Sequence, residues 1–584
     1  MKSYVFWIPV STITGYACYR LYKYHRGWMA SLPFQSAPPL EWQPKSRNEI
    51  IGNLKNKEYD LLIIGGGATG AGCALDAVTR GLKVALVEAQ DFASETSSKS
   101  TKLLHGGIRY LEKAVNNLDY TQYHMVVEAL HERKRVMDMV PYLCQRLPIM
   151  LPVYKTLQIP YFWFGLKLYD WFSGTKSVGN SFFIGPEKVK EKFPLLNCND
   201  LKGAIVYFDA IHNDSRTNTM VAMTAAYYGA DILNYAEVQG LTEDDGRVNG
   251  AKVKDIITHE DFLIKAKGVI NATGPFVDSI NKMASEDKKS VIPSSGIHLV
   301  LPEEYSPTGM GLVNANTKSG SVIFFIPWHG KSIVGSTDMP CKIKRNPEAT
   351  NKEINFLIKE INGMLSLPKL LTKRDILSSW SGIRPLMVDP TKDTTQDIAR
   401  THVIHEYKPG LLTISGGKWT TFRKMAQETV DQAINLFKLT PQRICITNHI
   451  KLLGAHNYEV NLFSKLQNQL GIPIGVAKHL SNNYGDRAYK FYFKDGCINK
   501  LSPKYEYLEK EVEYCVKNEM AVTINDIICR RMRLGFIDVD EASKVVSKVG
   551  SIMKPLMGWS NKEMKRNIKM AKEYLSTLGI NKDI

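Results

Sequence analysis

The sequence has 584 residues, of which 44% are hydrophobic and 23% are charged, with a mean hydropathy of −0.20. These figures exclude a disordered chain, a collagen-like fibre and a polytopic transporter, and the length predicts several domains with large cores. The formal net charge of +17 favours anionic partners, namely nucleic acid, an acidic membrane surface or a phosphorylated substrate.

Residues 1–30 form an apolar, aromatic segment that has basic but no acidic side chains. The uncharged stretch between Lys2 and Arg20 is at the short limit for a membrane-spanning helix of about 20 residues. We expect a mitochondrial targeting segment that also anchors the chain in a membrane. A cleaved presequence and an interfacial helix are the alternatives. The proline-rich stretch over 31–57 is predicted to be a linker.

A strand–turn–helix–strand unit over 59–88 gives the strongest local signal. Gly65, Gly67 and Gly70 form a G-x-G-x-x-G motif between the first strand and the helix. Gly65 permits a tight turn, Gly67 lets backbone N–H groups approach a pyrophosphate, and Gly70 lets the helix pack close to the strand. Glu88 can accept both ribose hydroxyls, which favours FAD or NAD over NADP. The residues predicted to hold the nucleotide are Gly65, Gly67, Ala68, Thr69, Gly70 and Glu88.

A series of β-hairpins over 234–270 leads into an apolar strand and the sequence Ala272-Thr273-Gly274. Flavoproteins of the two-dinucleotide-binding class resemble this, because their chain returns to the nucleotide at such a strand. The pattern therefore favours FAD over NAD and places Thr273 and Gly274 at the cofactor.

A set of motifs from residue 91 onward resembles FAD-dependent glycerol-3-phosphate dehydrogenases. The motifs are Asp91–Glu112, Ile205–Arg216, Ser295–His298, Ile326–Trp328, Gly335–Asp338, Trp380–Leu386 and Ser415–Lys424. The resemblance implies an α/β fold over 58–435, in which an FAD-binding Rossmann-like domain is interleaved with an antiparallel-sheet substrate (cap) domain. The cap is expected mainly at about 140–200 and 291–380, and an α-helical C-terminal domain at 440–584.

The activity implied by the resemblance is oxidation of sn-glycerol 3-phosphate to dihydroxyacetone phosphate by hydride transfer to FAD. The N-terminal segment favours the quinone-linked mitochondrial type, which passes electrons to ubiquinone at the inner membrane, facing the intermembrane space. A homodimer is the expected assembly. The alternatives are a soluble oxidase that reduces O₂ to hydrogen peroxide and an FAD enzyme that oxidises amines. A nucleic-acid-binding protein is disfavoured because the sequence contains no RNA or DNA module.

The catalytic residues implied by the same resemblance are His298, Arg384 and Tyr110. A neutral histidine suits removal of the C2 hydroxyl proton at pH 7, while Arg384 and Tyr110 orient the substrate or stabilise the alkoxide. For His298 the alternative is a buried structural histidine. The cations expected at the phosphate dianion are Arg109, Arg400 and Lys418, and for any one arginine a surface ion pair is the alternative.

The other flavin contacts are expected in a hydroxyl-rich loop and in a glycine turn before a helix. A helix N-terminus there can stabilise the anionic edge of a reduced flavin. The residues are Thr96, Ser97, Ser98, Thr101, Gly416, Gly417 and Thr420. We expect no metal site, because the nine cysteines include no C-x-x-C pair and neither an H-E-x-x-H motif nor a calcium loop is found.

Two further segments allow more than one interpretation. Residues 160–172 form the most aromatic stretch, either an interfacial helix near the quinone entrance or a packing element of the cap. In the C-terminal region the pattern predicts helices over 460–470, 474–483, 505–519, 524–533, 539–553 and 561–578. We interpret Arg530, Arg531 and Arg533 as a solvated helix face; contact with lipid headgroups or closure over the substrate are the alternatives.

Overall fold

The computed structural model describes residues 36–285, 289–314, 322–387, 402–493 and 498–580. The predicted anchor over 1–30 and the predicted phosphate ligand Arg400 lie outside these residues, and for Arg109 only the backbone is described. Every helix in the described part of the chain is too short or too polar to cross a bilayer.

The first sheet is the core of the nucleotide-binding unit and has the strand order β17-β18-β10-β1-β2-β7, with the hairpin β8-β9 attached to β10. Strand β1 pairs in parallel with both β2 and β10, as expected for strands joined by crossovers. The bounds are β1 (Glu58–Ile64), β2 (Val84–Val87), β7 (Asp231–Leu233), β8 (Ala236–Asp244), β9 (Arg247–Asp255), β10 (Asp261–Asn271), β17 (His402–Lys408) and β18 (Leu411–Gly416). The predicted strands at 59–64 and 83–87 and the predicted hairpins are confirmed.

The second sheet is mostly antiparallel. Its strands are β3 (Leu103–Leu104), β4 (Cys144–Val153), β5 (Phe182–Ile184), β6 (Gly203–His212), β11 (Val291–Pro302), β12 (Gly311–Asn314), β13 (Ile323–Trp328), β14 (Lys331–Gly335), β15 (Met339–Pro340) and β16 (Ser378–Met387). It therefore extends beyond 140–200 and 291–380, since β6 pairs with β4 along its whole length. In the register of the sheet, His298 on β11 lies between Trp380 on β16 and Gly335 on β14.

The helices in the described part of the first 440 residues pack against the two sheets. They are α1 (Arg47–Asn56), α2 (Ala68–Thr79), α3 (Ile108–Asn116), α4 (Tyr120–Met139), α5 (Gln158–Ser173), α6 (Pro186–Lys192), α7 (Asp214–Tyr227), α8 (Val277–Met283), α9 (Asn351–Met364) and α10 (Phe422–Leu436). Helix α2 is rich in alanine and glycine, so α7 and α10 pack closely against it. A side chain added at Gly72 would place its Cβ 3.0 Å from the Ala426 Cβ on α10.

The C-terminal region is helical, as predicted. Its helices are α11 (Leu462–Leu470), α12 (Ile474–Tyr484), α13 (Glu509–Glu519), a π-helix (Asp526–Arg531), α14 (Leu534–Ile537), α15 (Val539–Met557) and α16 (Asn561–Ser576). The predicted helix over 524–533 is present, mostly as a π-helix, and it ends at Arg531, two residues before Arg533 adopts a left-handed conformation with φ of 69°. The apolar side chains of these helices and of the second sheet form one core, in which Phe536 contacts Trp380.

The arginine cluster of the C-terminal region is buried, so its interpretation as a solvated helix face is wrong. Arg530 is 6% exposed, Arg531 1% and Arg533 0%. Their charges are compensated by carboxylates from distant parts of the chain: Asp91 pairs with Arg530 and Arg531, and Asp214 pairs with Arg533.

Helix α5 contains the aromatic stretch and has two different faces. Leu166 and Tyr169 are buried in the core beneath it. Phe164 is 59% exposed and Trp171 is 74% exposed on the opposite side. The helix therefore packs into the cap and also presents aromatic side chains to the exterior.

Candidate active site

A pocket of about 410 Å³ lies at the carboxyl ends of β1 and β2. This volume is within the range of about 300–1,000 Å³ that is usual for small-molecule sites. Its walls come from the glycine turn after β1, the loop after β2, the start of β8, the turn after β10 and the end of β18. Parallel α/β sheets bind their ligands at this edge.

The glycine turn is packed too closely against its own backbone and that of Ala272 to accept side chains at Gly65 and Gly70. A Cβ at Gly65, where φ is +109°, would lie 2.7 Å from the backbone oxygen of Ala272. A Cβ at Gly70 would lie only 1.9 Å from the backbone oxygen of Gly65. Gly67 is the N-cap residue of α2, so the N-terminus of this helix faces the pocket, and the backbone N–H of Ala68 in its first turn donates to the Ser97 hydroxyl. These features fit a bound pyrophosphate, and Ala68 and Thr69 line the same wall.

Glu88 lies on the pocket wall directly after β2. Its carboxylate accepts hydrogen bonds from the backbone N–H of Gly66 at 2.6 Å and of Gln90 at 2.9 Å. Burial raises the pKa of this carboxyl group, while the two backbone donors oppose the shift. Glu88 is thus held where the sequence analysis expects a ribose ligand.

The hydroxyl-rich loop divides between the wall of the pocket and the interior behind it. Thr96 and Ser97 lie on the wall, and the Ser97 hydroxyl accepts a bond of 3.0 Å from the backbone N–H of Ala68. Ser98 is buried behind the wall, where its hydroxyl donates to a backbone carbonyl. Thr101 is half-buried and bonds to the imidazole of His298 rather than lining the pocket.

The opposite wall is formed by residues of the predicted glycine turn and by the turn after β10. Gly416 ends β18, Gly417 and Lys418 follow it, and Thr273 and Gly274 follow β10. Thr420 lies just behind this wall, where its hydroxyl accepts a hydrogen bond from the backbone N–H of His105. The sequence analysis missed Trp419, whose indole N–H donates to the Ser97 carbonyl at 2.9 Å and so joins the two walls.

His298 is 2% exposed, and its ring stacks on Trp380 with 5.3 Å between ring centroids. His298 Nε2 lies 2.9 Å from the Thr101 hydroxyl, and Nδ1 finds no hydrogen-bond partner among the described residues. Burial, together with the nearby cations of Lys102 and Arg384, holds the pKa of His298 well below its usual value. The imidazole is therefore neutral at pH 7.

Arg384 reaches across β11 from the neighbouring strand β16. Its guanidinium donates to the Ser336 hydroxyl at 2.7 Å and forms an ion pair with Asp338. Asp338 is not among the site residues that the sequence predicts. A Cβ at Gly296 would lie 2.5 Å from Arg384 Nη2, so the glycine makes room for the charge. Gly296 and His298 face the same side of β11, since side chains alternate along a strand. The cation and the imidazole thus share one face.

Tyr110 and Lys418 connect the cap to the pocket. Lys418 Nζ lies 3.9 Å from the centroid of the Tyr110 ring, a cation–π contact. Tyr110 belongs to α3 of the cap, whereas Lys418 lines the pocket. Among the residues that the structure describes, no group of three or more His, Cys, Asp or Glu side chains is placed to hold a metal ion.

Two family models match the chain. The model of the FAD dependent oxidoreductases matches residues 60–423. The model described as the C-terminal domain of alpha-glycerophosphate oxidase matches residues 445–564. Together they cover both sheets and most of the C-terminal helices.

Relatives and solved structures give the same assignment. The probable glycerol-3-phosphate dehydrogenase of Encephalitozoon cuniculi is 44% identical over 559 residues, covering 94% of this chain and 91% of the relative. The mitochondrial glycerol-3-phosphate dehydrogenase of Rattus norvegicus is 44% identical, covering 92% of this chain and 76% of the relative. The crystal structure of the Bacillus halodurans glycerol-3-phosphate dehydrogenase complexed with FAD superposes with a TM-score of 0.74 at 27% identity, covering 93% of this chain and 99% of that one. These matches confirm the predicted fold class, and the chain belongs to the FAD-dependent glycerol-3-phosphate dehydrogenase family.

Proposed function

We propose that this chain binds FAD and oxidises sn-glycerol 3-phosphate at C2 to dihydroxyacetone phosphate. One observation carries the proposal: Arg384 on β16 and His298 on β11 lie on the same face of the second sheet, beside the cofactor pocket. Arg384 is flanked by Pro385, which lines that pocket, and by Ile383, whose carbonyl accepts a hydrogen bond from the wall residue Thr96. A phosphate-binding cation and a neutral base thus stand next to the space for a flavin. When bound, FAD supplies the hydride acceptor.

His298 is the residue that we assign to proton removal. A neutral imidazole can take the C2 hydroxyl proton as the C2–H bond breaks and the carbonyl forms. If Nε2 donates its hydrogen to Thr101, Nδ1 keeps its lone pair and is the accepting atom. The imidazolium that results lies beside the dianionic substrate. The negative charge of the substrate offsets the repulsion between the imidazolium and the cations of Lys102 and Arg384.

We assign the phosphate to cations around the same cleft. Arg384 can use bidentate charge-assisted hydrogen bonds, and Lys418 adds a second charge at the pocket wall. Arg109 follows directly after Ile108 at the start of α3 and precedes Tyr110. Arg109 and Arg400 join this set by family resemblance.

An anaerobic titration of the purified flavoprotein tests this function. We expect sn-glycerol 3-phosphate to bleach the visible flavin absorbance, whereas glycerol and the amine sarcosine leave it unchanged. Bleaching by sarcosine alone would favour the amine-oxidising alternative. Reoxidation is then followed with decylubiquinone and with O₂, and rapid peroxide formation without quinone would favour the oxidase.

We propose ubiquinone as the electron acceptor and the mitochondrial inner membrane, on the intermembrane-space side, as the location. The mitochondrial names of several relatives support a mitochondrial location. The apolar segment over 1–30, which lies outside the described residues, supports the membrane. A homodimer is proposed from the family resemblance, and sedimentation velocity of the detergent-solubilised protein tests it.

Helix α5 supplies a surface that suits an anionic bilayer. Its exposed side chains, with those of the adjacent β5, are Leu157, Tyr161, Trp163, Phe164, Trp171, Phe182 and Phe183. Aromatic residues flanked by lysines favour the membrane interface, and Lys167 lies over the Trp163 ring at 5.6 Å. On the inner face, the Tyr169 hydroxyl accepts a bond of 2.8 Å from the backbone N–H of Gly106, close to Tyr110. The surface is thus directly connected to the active-site side of the cap.

Vesicle binding tests this surface. The triple variant Trp163→Ser, Phe164→Ser and Trp171→Ser keeps the segment over 1–30, so it should bind phosphatidylserine-containing vesicles more weakly than wild type rather than not at all. Its turnover with vesicle-embedded quinone should fall, while reduction of its flavin by substrate stays normal. Tyr492→Ser, which changes an exposed aromatic residue elsewhere, is the control. Unchanged vesicle binding by the triple variant would contradict the assignment.

A further inference from the structure

The C-terminal helices contact the loop that forms one wall of the cofactor pocket. Residues 88–97 of this loop lie along the pocket, with Gln90, Ala93 and Thr96 among the wall residues. Asp91 belongs to the same loop but is fully buried on its other side. Its carboxylate accepts hydrogen bonds from Arg530 and Arg531 of the π-helix and from the Asn234 amide, and none of these three residues lines the pocket.

The contact is a dense set of charge-assisted hydrogen bonds. Arg531 binds both carboxylate oxygens of Asp91, at 2.7 and 3.0 Å, and Arg530 Nε lies 2.9 Å from Oδ2. Burial alone would raise the pKa of Asp91, but the two guanidinium groups hold this pKa below its usual value. A planar bidentate pair of this kind fixes orientation as well as distance.

A second contact holds the end of the same loop. Arg533 Nη2 donates to the Ser98 carbonyl at 2.7 Å, directly after the wall residues Thr96 and Ser97. Lys102 Nζ donates to the same carbonyl at 2.9 Å and forms an ion pair of 2.6 Å with Asp214. The loop is therefore held from the C-terminal domain at both ends of its pocket-lining stretch.

We propose that Arg530, Arg531 and Arg533 position the pocket loop, so that FAD binding and docking of the C-terminal helices stabilise each other. The inference rests on the FAD binding proposed above. Loss of Arg531 would leave buried Asp91 paired with Arg530 but without its bidentate partner, which weakens the hold of the π-helix on the loop. Because coupling between two equilibria is reciprocal, a loop ordered by FAD must in turn hold the π-helix more firmly.

Hydrogen exchange of the wild-type protein tests the coupling without a mutation. We expect FAD to slow amide exchange in residues 526–533 much more than in α11, which lies in the same domain but does not contact the loop. Equal effects on the two segments, or no effect on residues 526–533, would overturn the inference. Failure of the wild-type apoprotein to bind FAD would instead overturn the proposed function, and the inference with it.

A pair of variants tests the role of the arginine directly. Arg531→Met should raise the Kd of the apoprotein for FAD by about tenfold or more, within the usual range of coupling effects. Arg487→Met is the matched control, because Arg487 is a buried arginine of the same domain that binds the carbonyls of Pro38 and Pro39 instead of the loop. Equal Kd values for the two variants would overturn the inference. If Arg531→Met does not fold, the exchange experiment decides.

Discussion

Thr101 and His298 are joined by a hydrogen bond of 2.9 Å between the threonine hydroxyl and Nε2 of the imidazole. Thr101 follows the loop that lines the cofactor pocket, and His298 lies on β11 of the cap, between β14 and β16. Stacking on Trp380 fixes the plane of the ring, so this hydrogen bond determines which nitrogen is free to act. It thereby connects the two halves of the site.

Substitutions of this pair should slow flavin reduction by different amounts. His298→Asn removes the base and should lower the anaerobic rate roughly 10²–10⁴-fold, the usual contribution of general base catalysis. Thr101→Val should have a smaller effect of about fivefold, since one neutral hydrogen bond contributes about 1 kcal/mol. Stopped-flow absorbance measures both rates. Thr101→Ser keeps the hydroxyl and should recover most of the rate, and an unchanged rate in His298→Asn would exclude this residue as the base.

Arg384→Ala should impair substrate use while leaving FAD bound. Loss of charge-assisted bonds to the phosphate should cost about 3 kcal/mol, which corresponds to roughly a 100-fold lower kcat/KM. Steady-state kinetics with an artificial dye acceptor measures this effect, and the visible spectrum reports the bound flavin. Arg374→Ala, at an exposed arginine on the surface, should behave as wild type. Wild-type kcat/KM in Arg384→Ala would contradict the role of this residue.

Gly70→Ala should abolish FAD binding, because its Cβ would meet the backbone oxygen of Gly65 at 1.9 Å and force the turn apart. Gly52→Ala is the matched control. Gly52 lies in α1 with nothing within 4 Å of an added Cβ, and alanine there should be neutral or stabilise by up to about 1 kcal/mol. Flavin content after purification and thermal unfolding measure the two effects. Normal flavin content in Gly70→Ala would show that the turn does not form the cofactor cradle.

His212 should make stability depend on pH. Burial lowers the pKa of His212 to about 3, and neither ring nitrogen has a hydrogen-bond partner among the described residues. Below about pH 6.5 the imidazole of His212 binds a proton in the unfolded chain but not in the folded chain. The free energy of unfolding is therefore highest above that pH and decreases as the pH falls towards 3. One such group contributes a slope of about 1.4 kcal/mol per pH unit.

Urea unfolding of wild type and His212→Gln from pH 7 to pH 4 measures this slope. The variant should lose the contribution of one proton from its pH dependence. His124→Gln, at an exposed ring on α4, should retain the wild-type dependence. Identical slopes in wild type and His212→Gln would show that His212 titrates alike in the folded and unfolded chains.

The nucleotide-binding unit is predictable from sequence because its parts are local. Strand β1, the turn at Gly65 and Gly67, helix α2 and strand β2 follow one another within about 30 residues, the usual length of such a unit. The return of the chain at Thr273 is also predictable, since the preceding hairpins have the alternation of exposed and buried residues that a sheet requires.

The sequence pattern does not indicate which side chains pair when the two residues are far apart in the chain. Arg530 and Asp91 are 439 positions apart. From the local sequence alone, the arginine cluster is therefore predicted to be exposed to solvent, because its carboxylate partner is recognised only in the folded chain. The hydroxyl-rich run predicts that Thr101 contacts the flavin. Its hydrogen-bond partner in the structure, His298, is 197 positions later in the chain, and no local pattern indicates this pairing. The pairing of β6 with β4 likewise depends on the assembled sheet rather than on either strand alone.

Transfer of hydride from C2 of sn-glycerol 3-phosphate to FAD is tested most directly by anaerobic stopped-flow reduction with substrate carrying protium or deuterium at C2. Flavin absorbance should fall in a single turnover, and deuterium at C2 should slow that fall by a primary isotope effect while deuterium at C1 has little influence. A flavin that stays oxidised at saturating sn-glycerol 3-phosphate would contradict the proposed function.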